Sequence, residues 1–151
     1  MPQSFARVLT HIVFSTKNRH PFLVDRAIRE EMHSYLGGTC KSLDCPILKV
    51  GGVADHVHVF CGLSRTLSIA DLVGEIKQES SKWVKSKGGI LTKFSWQNGY
   101  GAFSVGQSGI DRMRKYIANQ EEHHKKKTFQ EEYRAFLIEY GIQFDERYVR
   151  D

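Results

Sequence analysis

An α+β fold is predicted: an antiparallel sheet in the split βαβ arrangement, with helices on one face and additional helices at the C-terminus. Three observations predict it. Strand-like and helix-like hydrophobic patterns alternate in the order β-α-β-β-α-β. Two of the strand-like stretches are separated by only two residues, which demands a hairpin and therefore antiparallel pairing. Beyond the last strand, two more segments open with helix-capping patterns.

Residues 8–15, V-L-T-H-I-V-F-S, are β-branched and apolar enough for a buried strand. A loop containing T-K-N-R-H-P follows. From Asp25, the residues Ile28, Met32, Tyr35 and Leu36 recur at helical spacing, and Gly37-Gly38 supplies the expected stop. Residues 47–53 and 56–61 read as the arms of a hairpin around Ala54-Asp55. Ser68 with Asp71 marks the next helix start. Its buried stripe is Ile69, Leu72, Val73, Ile76, Trp83 and Val84, and it ends near the glycines at 88 and 89. A short strand over residues 102–105 follows a glycine-spaced aromatic loop. Ser108 with Asp111 repeats the capping pattern and opens a helix expected to run to about Lys127. Thr128 with Glu131 opens another, with Phe129, Tyr133, Phe136, Leu137 and Tyr140 on one face and Gly141 at its end. The order is that of ferredoxin-like folds, which leave the second face of the sheet free to hold a site.

With 151 residues the chain is expected to form one domain, 1–151, that buries a core without staples. At 40% apolar and 26% charged residues, with no apolar run near the roughly 20 residues of a membrane span, it reads as soluble. The start M-P-Q-S-F-A-R-V-L-T lacks a secretory pattern, so the expected location is the cytoplasm. Cys40, Cys45 and Cys61 lack paired C-x-x-C spacing and are expected to serve as small apolar residues.

Charge is unevenly spread. Residues 1–128 carry 19 basic against 11 acidic side chains, whereas residues 129–151 carry three arginines against six acids. Between Glu79 and Asp111 no acid occurs, and Lys82, Lys85, Lys87 and Lys93 are interleaved with Trp83, Phe94, Trp96, Tyr100 and Phe103. Cations that track phosphates and aromatic faces that stack on bases suit single-stranded nucleic acid. A solvated lysine face over core aromatics has the same composition.

The stretch D-H-V-H-V-F, residues 55–60, places two histidines one residue apart on a strand. Alternation turns His56, His58 and Phe60 to one face and Val57, Val59 and Cys61 to the other. Paired imidazoles are compatible with a satisfied core pair, a cross-strand hydrogen bond or two ligands for one metal. On the helix after Ser108, Tyr116 and Gln120 lie four residues apart along the edge of the Ile110, Met113 and Ile117 stripe, and His123 continues the row. Arg112, Arg114 and Lys115 would draw a phosphate toward the hydroxyl and favour its phenolate, against an ordinary tyrosine pKa of about 10. No general base is evident beyond His123, a candidate proton carrier or phosphate contact.

H-V-H on a strand followed by R-K-Y-I-x-N-Q on a helix resembles the HUH single-tyrosine transposases of the insertion-sequence-200-like kind, which include the REP-associated tyrosine transposases. The resemblance extends over H-I-V-F-S-T-K-N-R, A-D-H-V-H-V-F and Y-I-A-N-Q-E-E-H-H-K-K-K-T-F-Q-E-E-Y. It implies that His56, His58 and Gln120 bind a divalent metal, Mg2+ or Mn2+. Tyr116 would be the nucleophile that cleaves single-stranded DNA through a 5′-phosphotyrosine intermediate. It further implies hairpin ends of a mobile element as substrate and a homodimer with the tyrosine acting in trans, although REP-associated members can act in cis as monomers. Lys17, Arg19, Lys82, Lys85 and Arg112 are the expected DNA contacts. Two other functions fit the same residues: an HUH replication initiator or relaxase, and a noncatalytic or domesticated binder of DNA hairpins.

Overall fold

Four strands, β1 (Leu9–Ser15), β2 (Ile47–Val53), β3 (His56–Gly62) and β4 (Gly101–Val105), pair antiparallel in the order β2-β3-β1-β4 in the computed structural model, which describes residues 4–150. Helices α1 (Arg26–Ser42) and α2 (Ile69–Lys85) form the two crossovers. The ferredoxin-like order expected from the sequence is therefore present. Among the described residues no helix is long and apolar enough to cross a membrane.

Strand alternation divides the sheet. Ile12, Phe14, Val57, Val59 and Cys61 face α1 and α2, where they meet Met32, Leu36, Leu72, Ile76 and Val84 in the main core, all fully buried. Each such side chain contributes about 1.5–3 kcal/mol relative to exposure. Trp96 closes this core edge-on to Phe14 and donates its indole N–H to Ser80 Oγ at 3.0 Å. Phe94, Trp96 and Phe103 are buried and Trp83 stacks on Tyr35, so these aromatics pack the protein and do not offer free faces to bases. Cys40, Cys45 and Cys61 are buried free thiols, as their spacing suggested.

The first helix does not stop at Gly37-Gly38. Leu36 and Cys40, four apart, are both buried in the main core. That packing outweighs the roughly 1 kcal/mol each helical glycine costs. The stop comes at Asp44, left-handed at φ 58°, just ahead of Pro46. Ser68 caps α2 as expected, accepting the Asp71 backbone N–H, and Asp25, where the helical spacing begins, caps α1 by accepting from the backbone N–H groups of Ala27 and Ile28.

The helix expected from Ser108 to Lys127 is also corrected. Ser108 lies in a single 3-10 turn, and α3 (Ile110–Ala118) starts after Gly109 without a side-chain cap. The chain turns at Asn119 (φ −97°, ψ 21°) into a four-residue helix, α4 (Gln120–His123). Between Ala118 and Phe129 no apolar residue continues the stripe, so nothing holds a longer helix against the sheet. Thr128 and Glu131 form the expected capping box of α5 (Phe129–Glu139), and a short α6 (Glu146–Arg150) follows.

The second face of the sheet is not free. Helices α3, α4 and α5 cover it, with Val13, Phe103, Phe129 and Leu137 in one cluster and Leu9, Phe60 and Ile117 in another. Two glycines permit this close seating. A Cβ on Gly51 of β2 would lie 2.7 Å from Ile117 Cγ2 and 2.8 Å from the Ile117 carbonyl oxygen. A Cβ on Gly101 of β4 would lie 2.6 Å from the Tyr133 ring. The helices carrying Tyr116 and Glu132 thus rest directly on strand backbone.

Candidate metal and nucleophile site

Strand β3 delivers His56 and His58 to the covered face, where both are fully buried. Each has its Nδ1 engaged. His56 Nδ1 lies 2.7 Å from Asp55 Oδ1, and because a carboxylate only accepts, Nδ1 carries the proton. His58 Nδ1 lies 2.7 Å from Nε2 of His11, which sits two residues before Val13 on β1 and is itself buried. Both Nε2 atoms therefore aim into the space under α3–α5.

Glu132 of α5 occupies that space. Its Oε1 lies 3.0 Å from His58 Nε2, 3.4 Å from His56 Nε2 and 3.3 Å from His124 Nε2. Its Oε2 accepts hydrogen bonds from the Tyr116 hydroxyl and from Gln120 Nε2 at 3.2 Å, and lies 3.2 Å from His123 Nε2. Gln120 Oε1 in turn lies 3.1 Å from His56 Nε2. A single carboxylate thus joins the histidines of β3 to the tyrosine of α3.

The electrostatics follow from burial and from this carboxylate. Burial would depress His56, but its hydrogen bonds to Asp55 and Glu132 win and hold its imidazolium up to about 9. His58 is lowered by burial despite Glu132, and His11 falls to about 3 through burial and the neighbouring His58. Burial would raise Glu132, but the imidazoles of His124, His56 and His58 gathered around it hold it well below the usual carboxylate range. Tyr116 is pushed far above its ordinary value by burial and by the charge and hydrogen bond of Glu132. The arginines and lysine beside Tyr116 in sequence therefore do not produce a phenolate here, because Arg112, Arg114 and Lys115 are exposed while Glu132 is in contact.

Tyr116, Gln120, His56, His58 and His123 are all brought together. The break at Asn119 interrupts the row that Tyr116, Gln120 and His123 would form on one helix, yet His123 still packs against the Tyr116 ring at 5.3 Å. Lys17 and Arg19 lie in the loop after β1, at the end of the sheet where Thr16 bonds the Asp55 carbonyl, and Arg19 approaches the Gln130 side-chain amide at 2.7 and 2.9 Å. Arg112 lines a cleft with Met113, Tyr116, His123 and Glu132. Lys82 and Lys85 are exposed on α2, across the sheet from the histidines, and are not brought to the site.

Glu132, His124 and His11 are functional candidates that the sequence reading omitted. Two carried a signal: Glu132 falls three residues after Phe129 and four before Phe136, on the apolar face of its helix, and His11 interrupts an apolar strand. His124 carried none, because its placement depends on the turn at Asn119. His56, His58, His124 and Glu132 present ligand atoms that all lie within 4.8 Å of one another, a group that could hold a metal ion. The donor chemistry fits: imidazoles, a carboxylate and an amide suit a transition-metal dication. His124 Nδ1 donates to the Lys127 carbonyl at 2.7 Å, and its buried Nε2 has no hydrogen-bond partner, which leaves that nitrogen open to a ligand role.

Fold and site together define a ferredoxin-like protein with a histidine pair and a tyrosine on an adjacent helix. Residues 4–120 match the family described as IS200-like transposases, and the chain belongs to that family. It is accordingly a transposase, an enzyme class that cleaves DNA and transfers strands. The transposase for insertion sequence element IS200 of Salmonella typhimurium is 29% identical over 121 residues, 76% of this chain and 78% of that protein, and the same holds for its Salmonella typhi counterpart. Among solved structures, a candidate transposase from Deinococcus radiodurans superposes with a TM-score of 0.61 at 22% identity, over 80% of this chain and 95% of that one. A REP-associated tyrosine transposase bound to a REP hairpin gives 0.59 at 12% identity, over 82% and 73%. At these identities the structural likenesses show the shared fold. His123, His124 and Glu132 lie beyond Gln120, where the family match ends.

Proposed function

We propose that the protein cleaves and rejoins single-stranded DNA at hairpin ends of a mobile element, with Tyr116 as nucleophile and a divalent metal, Mg2+ or Mn2+, held by His56, His58 and Gln120. The observation that carries this reading is the convergence of the Tyr116 hydroxyl, the Gln120 amide and both imidazoles on one carboxylate. The hairpin bound by the REP-associated structural relative supports the choice of substrate.

When bound, the metal would supply charge neutralisation at the scissile phosphate. The protein's own groups do the rest. Tyr116 oxygen bonds to phosphorus as its O–H bond and the phosphorus bond to the 3′-oxygen break, the phenol proton passing by way of its acceptor Glu132 Oε2 to the departing 3′-oxygen. The DNA departs with a 3′-hydroxyl and a 5′-phosphotyrosine remains, and attack by another 3′-hydroxyl reverses the step. Glu132 Oε2, the acceptor of the phenol's hydrogen bond, orients the hydroxyl. A homodimer with the tyrosine in trans, which the resemblance implies, is not needed to complete the site, since one chain supplies both halves with the Tyr116 and His58 rings 5.8 Å apart.

The test is incubation with end-labelled hairpin DNA carrying a single-stranded flank, with Mn2+. An adduct that survives denaturation and disappears on chelation is expected. Hairpin binding with no adduct from any flank sequence would favour the noncatalytic reading. A second expectation concerns His11. A metal on His58 Nε2 needs His58 Nδ1 to keep its proton and donate it to His11 Nε2. His11→Phe preserves the edge contact with Phe136 but removes the acceptor, and Mn2+ affinity should fall about 10- to 100-fold by calorimetry. Unchanged affinity would remove His11 from the site.

A further inference from the structure

We infer that Glu132 is a bridging carboxylate whose Oε1 is a metal ligand together with Nε2 of His56, His58 and His124, while its Oε2 holds the hydroxyl of Tyr116. This rests on the metal reading above and extends it to two residues that follow Gln120.

Three independent observations support the assignment. The first is spacing. Donors in adjacent octahedral positions about 2.1 Å from one ion lie about 3.0 Å from each other. Glu132 Oε1 lies 3.0, 3.4 and 3.3 Å from the three imidazole nitrogens, so no rearrangement larger than a few tenths of an ångström is asked of these pairs. The second is tautomer control. His56 donates from Nδ1 to Asp55 and His124 donates from Nδ1 to the Lys127 carbonyl, so in the neutral ring the lone pair is on Nε2, facing Glu132. The third is the buried His124 Nε2, which makes no hydrogen bond although it is only 3.3 Å from the carboxylate.

The consequence is mechanical coupling between the metal and the nucleophile. Glu132 is 3% exposed, and its helix is seated on Gly101 through Tyr133. An ion on Oε1 would fix the carboxylate plane and with it Oε2, the group that positions the tyrosine hydroxyl. Gln120 keeps its place in the ligand set: its Oε1 lies 3.1 Å from His56 Nε2 and faces the same space, and its Nε2 donates to Glu132 Oε2 at 3.2 Å.

The test is Mn2+ titration of the full chain by calorimetry, comparing wild type with Glu132→Gln, Glu132→Asp and His58→Ala, each checked for cooperative unfolding. Glu132→Asp keeps the charge that the histidines face but draws the oxygens back by one methylene, so it reports even if Glu132→Gln does not fold. Affinity losses of at least about tenfold in the folded Glu132 variants are expected. Wild-type affinity in either folded Glu132 variant, alongside a weakened His58→Ala, would overturn the bridging role and leave the metal reading standing. No Mn2+ binding by wild type, or unchanged binding in His58→Ala, would overturn both.

Discussion

Tyr116→Phe is expected to abolish the denaturant-resistant protein–DNA adduct while leaving hairpin affinity and Mn2+ affinity within about threefold of wild type. The hydroxyl is the one atom removed, and it is the atom proposed to bond to phosphorus. Its loss also removes a hydrogen bond to a buried carboxylate, which costs about 1.5–3 kcal/mol. Glu132 retains the neighbours His56, His58, His124 and Gln120, so denaturant unfolding should remain cooperative with a lowered midpoint. An adduct formed at wild-type yield by the phenylalanine variant would show that another residue attacks.

Gly51→Ala is expected to lower the rate of adduct formation by about a hundredfold without touching a single reacting group. The new methyl would enter both the Ile117 side chain and its carbonyl oxygen, so α3 must lift away from β2. Tyr116 precedes Ile117 and would move with it, and displacement of a catalytic group by about 1 Å is worth about that factor. Overpacking of this kind costs about 1–3 kcal/mol in stability. Because part of the collision is with backbone, the double variant Gly51→Ala/Ile117→Ala should not recover the wild-type rate. Recovery would show that only the side chain matters and that α3 does not control the position of the tyrosine.

The contrast between these two residues reflects what could be read from the chain. Tyr116 was legible because it lies in a motif, R-K-Y-I-x-N-Q, at helical spacing from Gln120. Gly51 reads as an ordinary strand glycine until α3 is seen lying on it. The same distinction separates the correct helix caps at Ser68 and Thr128 from the misread stop at Gly37-Gly38. A cap is a local hydrogen bond between residues two or three apart, whereas the continuation of α1 depends on Leu36 and Cys40 being buried against a distant sheet.

By itself the sequence determined the order of the strands and of the first two helices, the hairpin that carries D-H-V-H-V-F, that His56 and His58 share one face, and the pairing of a tyrosine with a glutamine four residues on. These are short-range properties: periodicity, turn length and capping are written in consecutive residues. Only the tertiary structure decided that the second face of the sheet is covered, that His11 and Asp55 orient the histidine pair, and that Glu132 stands between the histidines and the tyrosine. Those contacts join residues 47 to 76 positions apart, apart from the neighbours Asp55–His56 and the 16-residue step from Tyr116 to Glu132. They arise from the seating of α3 and α5 on strand backbone, which depends on the packing of the whole chain and is not encoded in any one segment of it.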